Sequence, residues 1–137
     1  MPEAFLDTNL IVRHVTRDLP AQAERARALF LELETAQSSA DTIEPVLSEA
    51  VYVLSSKVLY NLPREQIRDS LATIISLPGL RLPNKHICLR ALDLYVVTGL
   101  DFVDCLCVAH MEDTGIDTIL SFDRGFDRIP GIIRREP

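Results

Sequence analysis

Short apolar runs alternate along this chain with longer stretches in which apolar residues recur at helical intervals. Ala4-Phe5-Leu6-Asp7 reads as a short buried strand ending in an acid, and Thr8-Asn9 supply helix-start chemistry for Leu10–Val15. Pro20 opens a longer helix, with Ala26, Leu29, Phe30 and Leu33 as its apolar stripe and Glu24, Arg25, Arg27, Glu32 and Glu34 on the wet face. Ser38–Thr42 is a weakly marked second strand, and Glu44–Lys57 is a mostly apolar helix. Asn61-Leu62-Pro63 begins a helix striped by Ile67, Leu71, Ile74 and Ile75 and stopped by Pro78-Gly79. Leu80-Arg81-Leu82 is a third strand. Asn84 is expected to cap a helix carrying Ile87, Ala91, Leu94 and Tyr95 on one face and closing near Gly99. A helix over Phe102–Met111, a strand over Asp117–Phe122 and a last strand over Ile132–Arg134 complete the pattern.

Strands separated by helices of this length require crossover connections and a parallel sheet. The expected fold is α/β: a three-layer α/β/α sandwich around a central, mainly parallel sheet, with ligands outside the carboxyl ends of the strands. At 137 residues, 47% of them apolar, the chain suits one core and a single domain over 1–137. No apolar run approaches the ~20 residues that span a bilayer. Met1-Pro2-Glu3 lacks the basic start of a secretory leader, so a cytoplasmic location is expected, with no membrane partner. Cys88, Cys105 and Cys107 fit reduced thiols in apolar surroundings better than a disulfide framework or a zinc site.

A net charge of −6 argues against tight, non-specific wrapping of nucleic acid, which relies on many Lys and Arg contacts to phosphate. Four acids nevertheless stand in unusual places. Asp7 and Asp123 end apolar strands, while Glu49 and Asp104 interrupt helices that otherwise look apolar and buried. Removing an ionised carboxylate from water costs several kcal/mol unless a partner compensates. No Lys or Arg lies within a helical turn of Glu49 or Asp104, and a hard divalent cation with oxygen ligands is the other common partner. Asp101, three residues before Asp104, shares its helical face. Singly, each acid could be a cap, a turn former or half of a distant salt bridge: Asp7 could precede a helix start, and Asp123 could hold the turn Phe122-Asp123-Arg124-Gly125. Together they point to a metal site. His14, His86 and His110 are scattered and lack a Ser or Cys partner motif, and no Gly-rich phosphate loop occurs.

Four segments resemble the acidic elements of PIN-domain proteins: Phe5-Leu6-Asp7-Thr8-Asn9, Val46-Leu47-Ser48-Glu49-Ala50-Val51-Tyr52-Val53-Leu54, Asp101-Phe102-Val103-Asp104-Cys105-Leu106-Cys107-Val108-Ala109, and Ile119-Leu120-Ser121-Phe122-Asp123-Arg124-Gly125-Phe126. The compact length is most similar to the VapC-type toxins of toxin–antitoxin operons. The resemblance implies a Mg²⁺- or Mn²⁺-dependent endoribonuclease with Asp7, Glu49, Asp104 and Asp123 as catalytic and metal-binding acids and Asp101 as an auxiliary metal ligand. Thr8, Asn9 and Ser121 would hold the acids or the metal water, with Ser121 where Thr is more usual. It also implies RNA as substrate, a cognate antitoxin whose tail crosses the active site, and a homodimer. Substrate grip falls to arginine, which outnumbers lysine twelve to two; Arg13, Arg124 and Arg128 are the best placed, with Arg17 and Arg134-Arg135 behind them. The alternatives are a catalytically inactive PIN-like metal- or RNA-binding scaffold and a phosphoacceptor receiver. A receiver needs paired acids after its first strand and a late Lys, whereas this chain offers a single Asp7 and has its lysines at 57 and 85.

Overall fold

A computed structural model describes residues 4–137; Met1-Pro2-Glu3, read above for a leader, lie outside the described residues. The chain divides into two compact units, one ending at Lys85 and the other starting at His86. In the first, β1 (Ala4–Phe5), β2 (Ala40–Asp41) and β3 (Leu80–Arg81) form a parallel sheet in that order. Each crossover is a helix pair: α1 (Thr8–Thr16) with α2 (Pro20–Glu34), then α3 (Glu44–Ser55) with α4 (Arg64–Ile75). The second unit contains α5 (Lys85–Thr98, whose first residue closes the preceding unit), α6 (Phe102–Thr114), and the parallel pair β4 (Thr118–Leu120) and β5 (Ile133–Arg135). A 3₁₀ turn over Arg124–Arg128 lies in the connection between these two strands. The α/β class and the parallel pairing are as the sequence pattern predicts. Among the described residues no helix is long and apolar enough to cross a membrane.

Burial follows the helical stripes. Ala26, Phe30 and Leu33 of α2, Ile67, Leu71, Ile74 and Ile75 of α4, and Ile87, Ala91, Leu94 and Tyr95 of α5 are buried. Pro20 and Pro45 sit in the first turns of α2 and α3, where a missing N–H costs nothing, and Gly115 ends α6 at φ +78°, the left-handed conformation that glycine adopts freely.

Several expectations need correction. The first strand is not buried throughout: Leu6 is buried, but Phe5 is 60% exposed. Successive strand residues face opposite sides, and Phe5 shares its side with its register partner Asp41 and, one strand on, Arg81. Glu49 is exposed, because α3 buries only Leu47, Ala50, Val51 and Leu54, one stripe at helical spacing, and leaves Glu49 and Tyr52 outside it. On α6, Val103 and Cys107 are exposed and Asp104 is half-buried, so neither helix is buried all round and Cys107 is not a core thiol. Thr8 is the first residue of α1, not a cap; Asp7 holds the cap position. Asn84 precedes α5 at φ +61°, a left-handed conformation unlike the extended backbone of a helix N-cap.

Candidate active site

In the first unit the positioning begins one residue before Asp7. The Leu6 amide donates to the Asp41 carbonyl at 2.8 Å, and the buried Thr42 hydroxyl donates to the Leu6 carbonyl at 3.1 Å. The backbone is therefore fixed on both sides of Leu6 just before it turns into α1. Asp7 occupies the cap position with extended backbone, yet its carboxylate makes no capping bond and is exposed. The helix start thus does not account for this acid. Thr8, only 5% exposed, places its hydroxyl 3.2 Å from Glu49 Oε2 and 3.3 Å from the Val46 carbonyl, so one proton is shared between two acceptors on α3. That contact joins the start of α1 to Glu49. Asp7, Thr8, Asn9, Arg13 and Glu49 line a cleft of about 280 Å³ together with Val12, Val53, Leu59 and Tyr60.

Arg13 is tied to neighbours in its own unit. Its Nε donates to Gln22 at 3.0 Å, and its Nη1 meets both Asp18 and the Tyr60 hydroxyl at 3.4 Å. The Tyr60 hydroxyl also forms a short hydrogen bond to Asp18, and this bond leads the effects that hold the Asp18 carboxyl below the usual carboxylate range.

In the second unit Asp101 occupies the cap position of α6 without a capping bond, again leaving its carboxylate uncommitted to the helix start. Asp104 follows in the first turn. Its pKa is raised, first by burial and then by the negative charges of Asp123 and Asp101. Asp104 thus feels two neighbouring carboxylates, and among the described residues none of the three has an ion-pair partner. The Cys107 thiol, one turn beyond Asp104, is also pushed up, by burial and then by the Asp104 charge. Asp123 does hold its turn, since its Oδ1 accepts from the Gly125 amide at 2.8 Å. The Ser121 hydroxyl accepts from the Asp123 amide at 2.9 Å, so Ser121 orients Asp123. Ser121 is held in turn by its own amide bonded to the Arg135 carbonyl and by Arg134 Nη1 on its carbonyl. Arg134 is committed further, to Asp127 and Glu136. Arg124 and Arg128 are exposed.

Thr42 and Gly125, like Tyr60 of the cleft, escaped the sequence reading. Thr42 looks like an ordinary strand-end threonine, and its role depends on β1 and β2 being paired. Gly125 reads only as a turn glycine. A Cβ built there would meet Leu100 Cδ2 at 2.9 Å and Asp123 Oδ1 at 3.0 Å, so the absence of a side chain leaves room for the Asp123 carboxylate.

The donors in both units are carboxylate and hydroxyl oxygens, the chemistry of hard cations. Among the described residues no group of three or more His, Cys, Asp or Glu side chains is arranged to hold a metal ion. Oxygen donors of this kind fit Mg²⁺, which ordinarily binds protein through one or two carboxylates and keeps its waters.

No curated protein matches the chain. The PIN domain family matches residues 4–132, a span that takes in Asp7, Glu49, Asp101, Asp104 and Asp123 and strands β1 to β4, with β5 beginning just beyond it. With nearly the whole chain inside that match, and an α/β fold of parallel strands beneath it, this protein belongs to the PIN-domain family.

Proposed function

We propose that residues 1–137 act as one metal-dependent endoribonuclease domain, hydrolysing RNA phosphodiester bonds with Mg²⁺ or Mn²⁺. PIN domains are generally nucleases, and a family match that spans both units supports assigning their acids to one reaction. The observation that most supports the reading is the half-buried Asp104, which feels the charges of Asp123 and Asp101 and has no ion-pair partner among the described residues. Structural acids are ordinarily neutralised by Lys or Arg, and leaving several together is costly unless a cation completes them. A bound divalent cation would supply a more acidic water and offset charge on the phosphate oxygens.

Asp7 and Asp104 are assigned as the principal metal ligands. Glu49 and Asp123 complete the set directly or through water, one of them accepting the proton of the attacking water; Asp101 is auxiliary. Thr8 orients Glu49 through its hydroxyl, and Ser121 orients Asp123 through the backbone amide. Asn9 lines the cleft beside Asp7. Arg124, exposed directly after Asp123, is the cation best placed to meet a phosphate.

The toxin role, in the cytoplasm and as a homodimer silenced by an antitoxin, is the biological setting we assign to this chemistry. An antitoxin tail carrying Arg would satisfy the same carboxylates. Purified protein incubated with RNA and Mn²⁺ or Mg²⁺, with and without EDTA, tests the reading. Cleavage that persists in EDTA overturns it. No cleavage, with a melting temperature unmoved by Mn²⁺, favours the inactive scaffold instead.

A further inference from the structure

The cleft that contains Asp7 and Glu49 has a second side that metal chemistry does not explain. Val53, Leu59 and Tyr60 form an apolar and aromatic wall beside the carboxylates. This wall is held in place. The Leu59 and Asn61 amides both donate to the Ser56 carbonyl, at 3.1 and 2.9 Å, and the Leu62 amide returns to the Leu54 carbonyl at 2.9 Å. The Tyr60 hydroxyl is tied to Asp18 and Arg13, and Arg13 is anchored on Gln22. The turn is thus closed at its backbone and at the tip of its one aromatic side chain, while Leu59 remains 57% exposed to water.

We infer that this wall is a nucleobase subsite, with Tyr60 as its specificity-determining residue and Arg13 as a positioning residue that holds the tyrosine. The inference rests on the nuclease reading of the neighbouring acids. A nucleotide presents the two halves that the cleft presents: a phosphate for the acid side and its cation, and a flat, weakly polar base for the apolar side. Bases stack on aromatic rings with little need for hydrogen bonds. A ring fixed in advance loses less freedom on binding than a mobile one. The occupant is therefore a single-stranded RNA whose base next to the scissile phosphate packs against Tyr60 and Leu59. Arg13, which the sequence offered as a phosphate grip, has its guanidinium engaged by Gln22, Asp18 and Tyr60.

Binding and cleavage test this separately. Fluorescein-labelled single-stranded RNA hexamers are titrated by anisotropy at low ionic strength in Ca²⁺, a hard cation that offsets the acid side, and wild type failing to bind them there also overturns the subsite. Tyr60→Leu is expected to weaken binding about tenfold, the usual worth of one base–aromatic contact, and Tyr60→Phe, which keeps the ring but cuts its ties to Asp18 and Arg13, to weaken it about threefold. Leu59→Ala, which removes a largely exposed side chain and leaves the backbone bonds of the turn intact, is expected to weaken binding severalfold and guards against misfolding of the Tyr60→Leu variant. On a long RNA with Mn²⁺, Tyr60→Leu should raise KM and blur the preferred cleavage positions. Wild-type binding by both Tyr60→Leu and Leu59→Ala overturns the subsite whether or not the protein cleaves RNA. Absence of cleavage by the wild type, with the binding losses intact, overturns the nuclease reading and leaves the subsite standing.

Discussion

Gly79 offers the most severe single-atom test of the scaffold beneath the site. Its amide donates to the Leu33 carbonyl at 2.7 Å, and its own carbonyl accepts from the Ala40 amide at 3.0 Å. A Cβ at this position would clash with the Ser38 carbonyl oxygen and lie 2.8 Å from the Leu33 carbonyl oxygen and 2.9 Å from Leu33 Cα. All three are backbone atoms, so no rotamer change relieves Gly79→Ala. Restoring ordinary contact needs a shift of roughly 0.5–1 Å. That movement weakens two hydrogen bonds worth about 1 kcal/mol each and adds about 1–3 kcal/mol of overpacking strain. Alanine returns about 0.4–1 kcal/mol by restricting the unfolded chain. The net loss is about 2–4 kcal/mol, a large part of the ~5–15 kcal/mol stability of a small domain. With a urea m-value of about 1–3 kcal/mol/M, the unfolding midpoint should fall by about 1 M or more. The damage should also reach the cleft, because Ala40 leads directly to Thr42, whose hydroxyl holds Leu6 just ahead of Asp7. A midpoint within ~0.3 M of wild type at unchanged m would refute the close-approach argument.

Three further substitutions probe the site and its surroundings. Gly125→Ala should be cheap in stability, since Leu100 Cδ2 can rotate away, but the crowded Asp123 carboxylate must shift; cleavage should drop about tenfold or more with less than ~1 kcal/mol of stability lost, as read by activity and urea titration on the same protein. Thr8→Val removes the hydroxyl shared by Glu49 and Val46 without opening a cavity. Both bonds are long and Glu49 is exposed, so the stability cost should be about 0.5–1 kcal/mol, with no further loss when Glu49→Gln is added in a double-mutant cycle. His14 packs tilted against Phe30 with ring centroids 4.7 Å apart, and its buried Nδ1 has no hydrogen-bond partner among the described residues; its pKa is lowered by burial first, then by Arg17 and Arg27. The unfolded chain therefore binds the proton more readily than the folded one, and this contribution is present above the ordinary histidine value near 6.5 and lost as pH falls through it toward the lower folded value. His14→Phe should flatten the fall in stability between about pH 7 and pH 5 seen by urea unfolding; an identical slope in both proteins would count against the assignment.

The parts of this protein legible in its sequence are those set by local rules. Pro20, the stripe of α4 and the stripe of α5 announce their helices because a helix buries one face at fixed spacing, and the strand–helix alternation suffices for parallel pairing. Burial of individual acids was less legible. Glu49 sits among apolar residues in sequence yet outside the buried stripe of α3, since linear neighbours on a helix point in different directions. The roles of Thr42, Tyr60 and Gly125 were not legible, because each depends on a partner distant in sequence or on a gap between atoms: Thr42 on Leu6, Tyr60 on Asp18 and Arg13, Gly125 on space for a carboxylate. The ties of Arg13 to Gln22, Asp18 and Tyr60 were not legible for the same reason. The overall charge takes on a different meaning as well. Without Asp7, Glu49, Asp104 and Asp123 the rest of the chain carries only −2, so much of the −6 resides in the proposed site and a bound cation would offset it.

The central claim is that Asp7, from the first unit, and Asp104, from the second, serve one metal-dependent cleavage. Single-turnover cleavage of a 5′-labelled RNA, followed across Mn²⁺ concentration for wild type, Asp7→Asn and Asp104→Asn, tests it most directly. The account predicts a wild-type rate that rises with Mn²⁺ and is abolished by EDTA, and a loss of about 100-fold or more in each variant at saturating metal. Either variant cleaving within about twofold of wild type would contradict it.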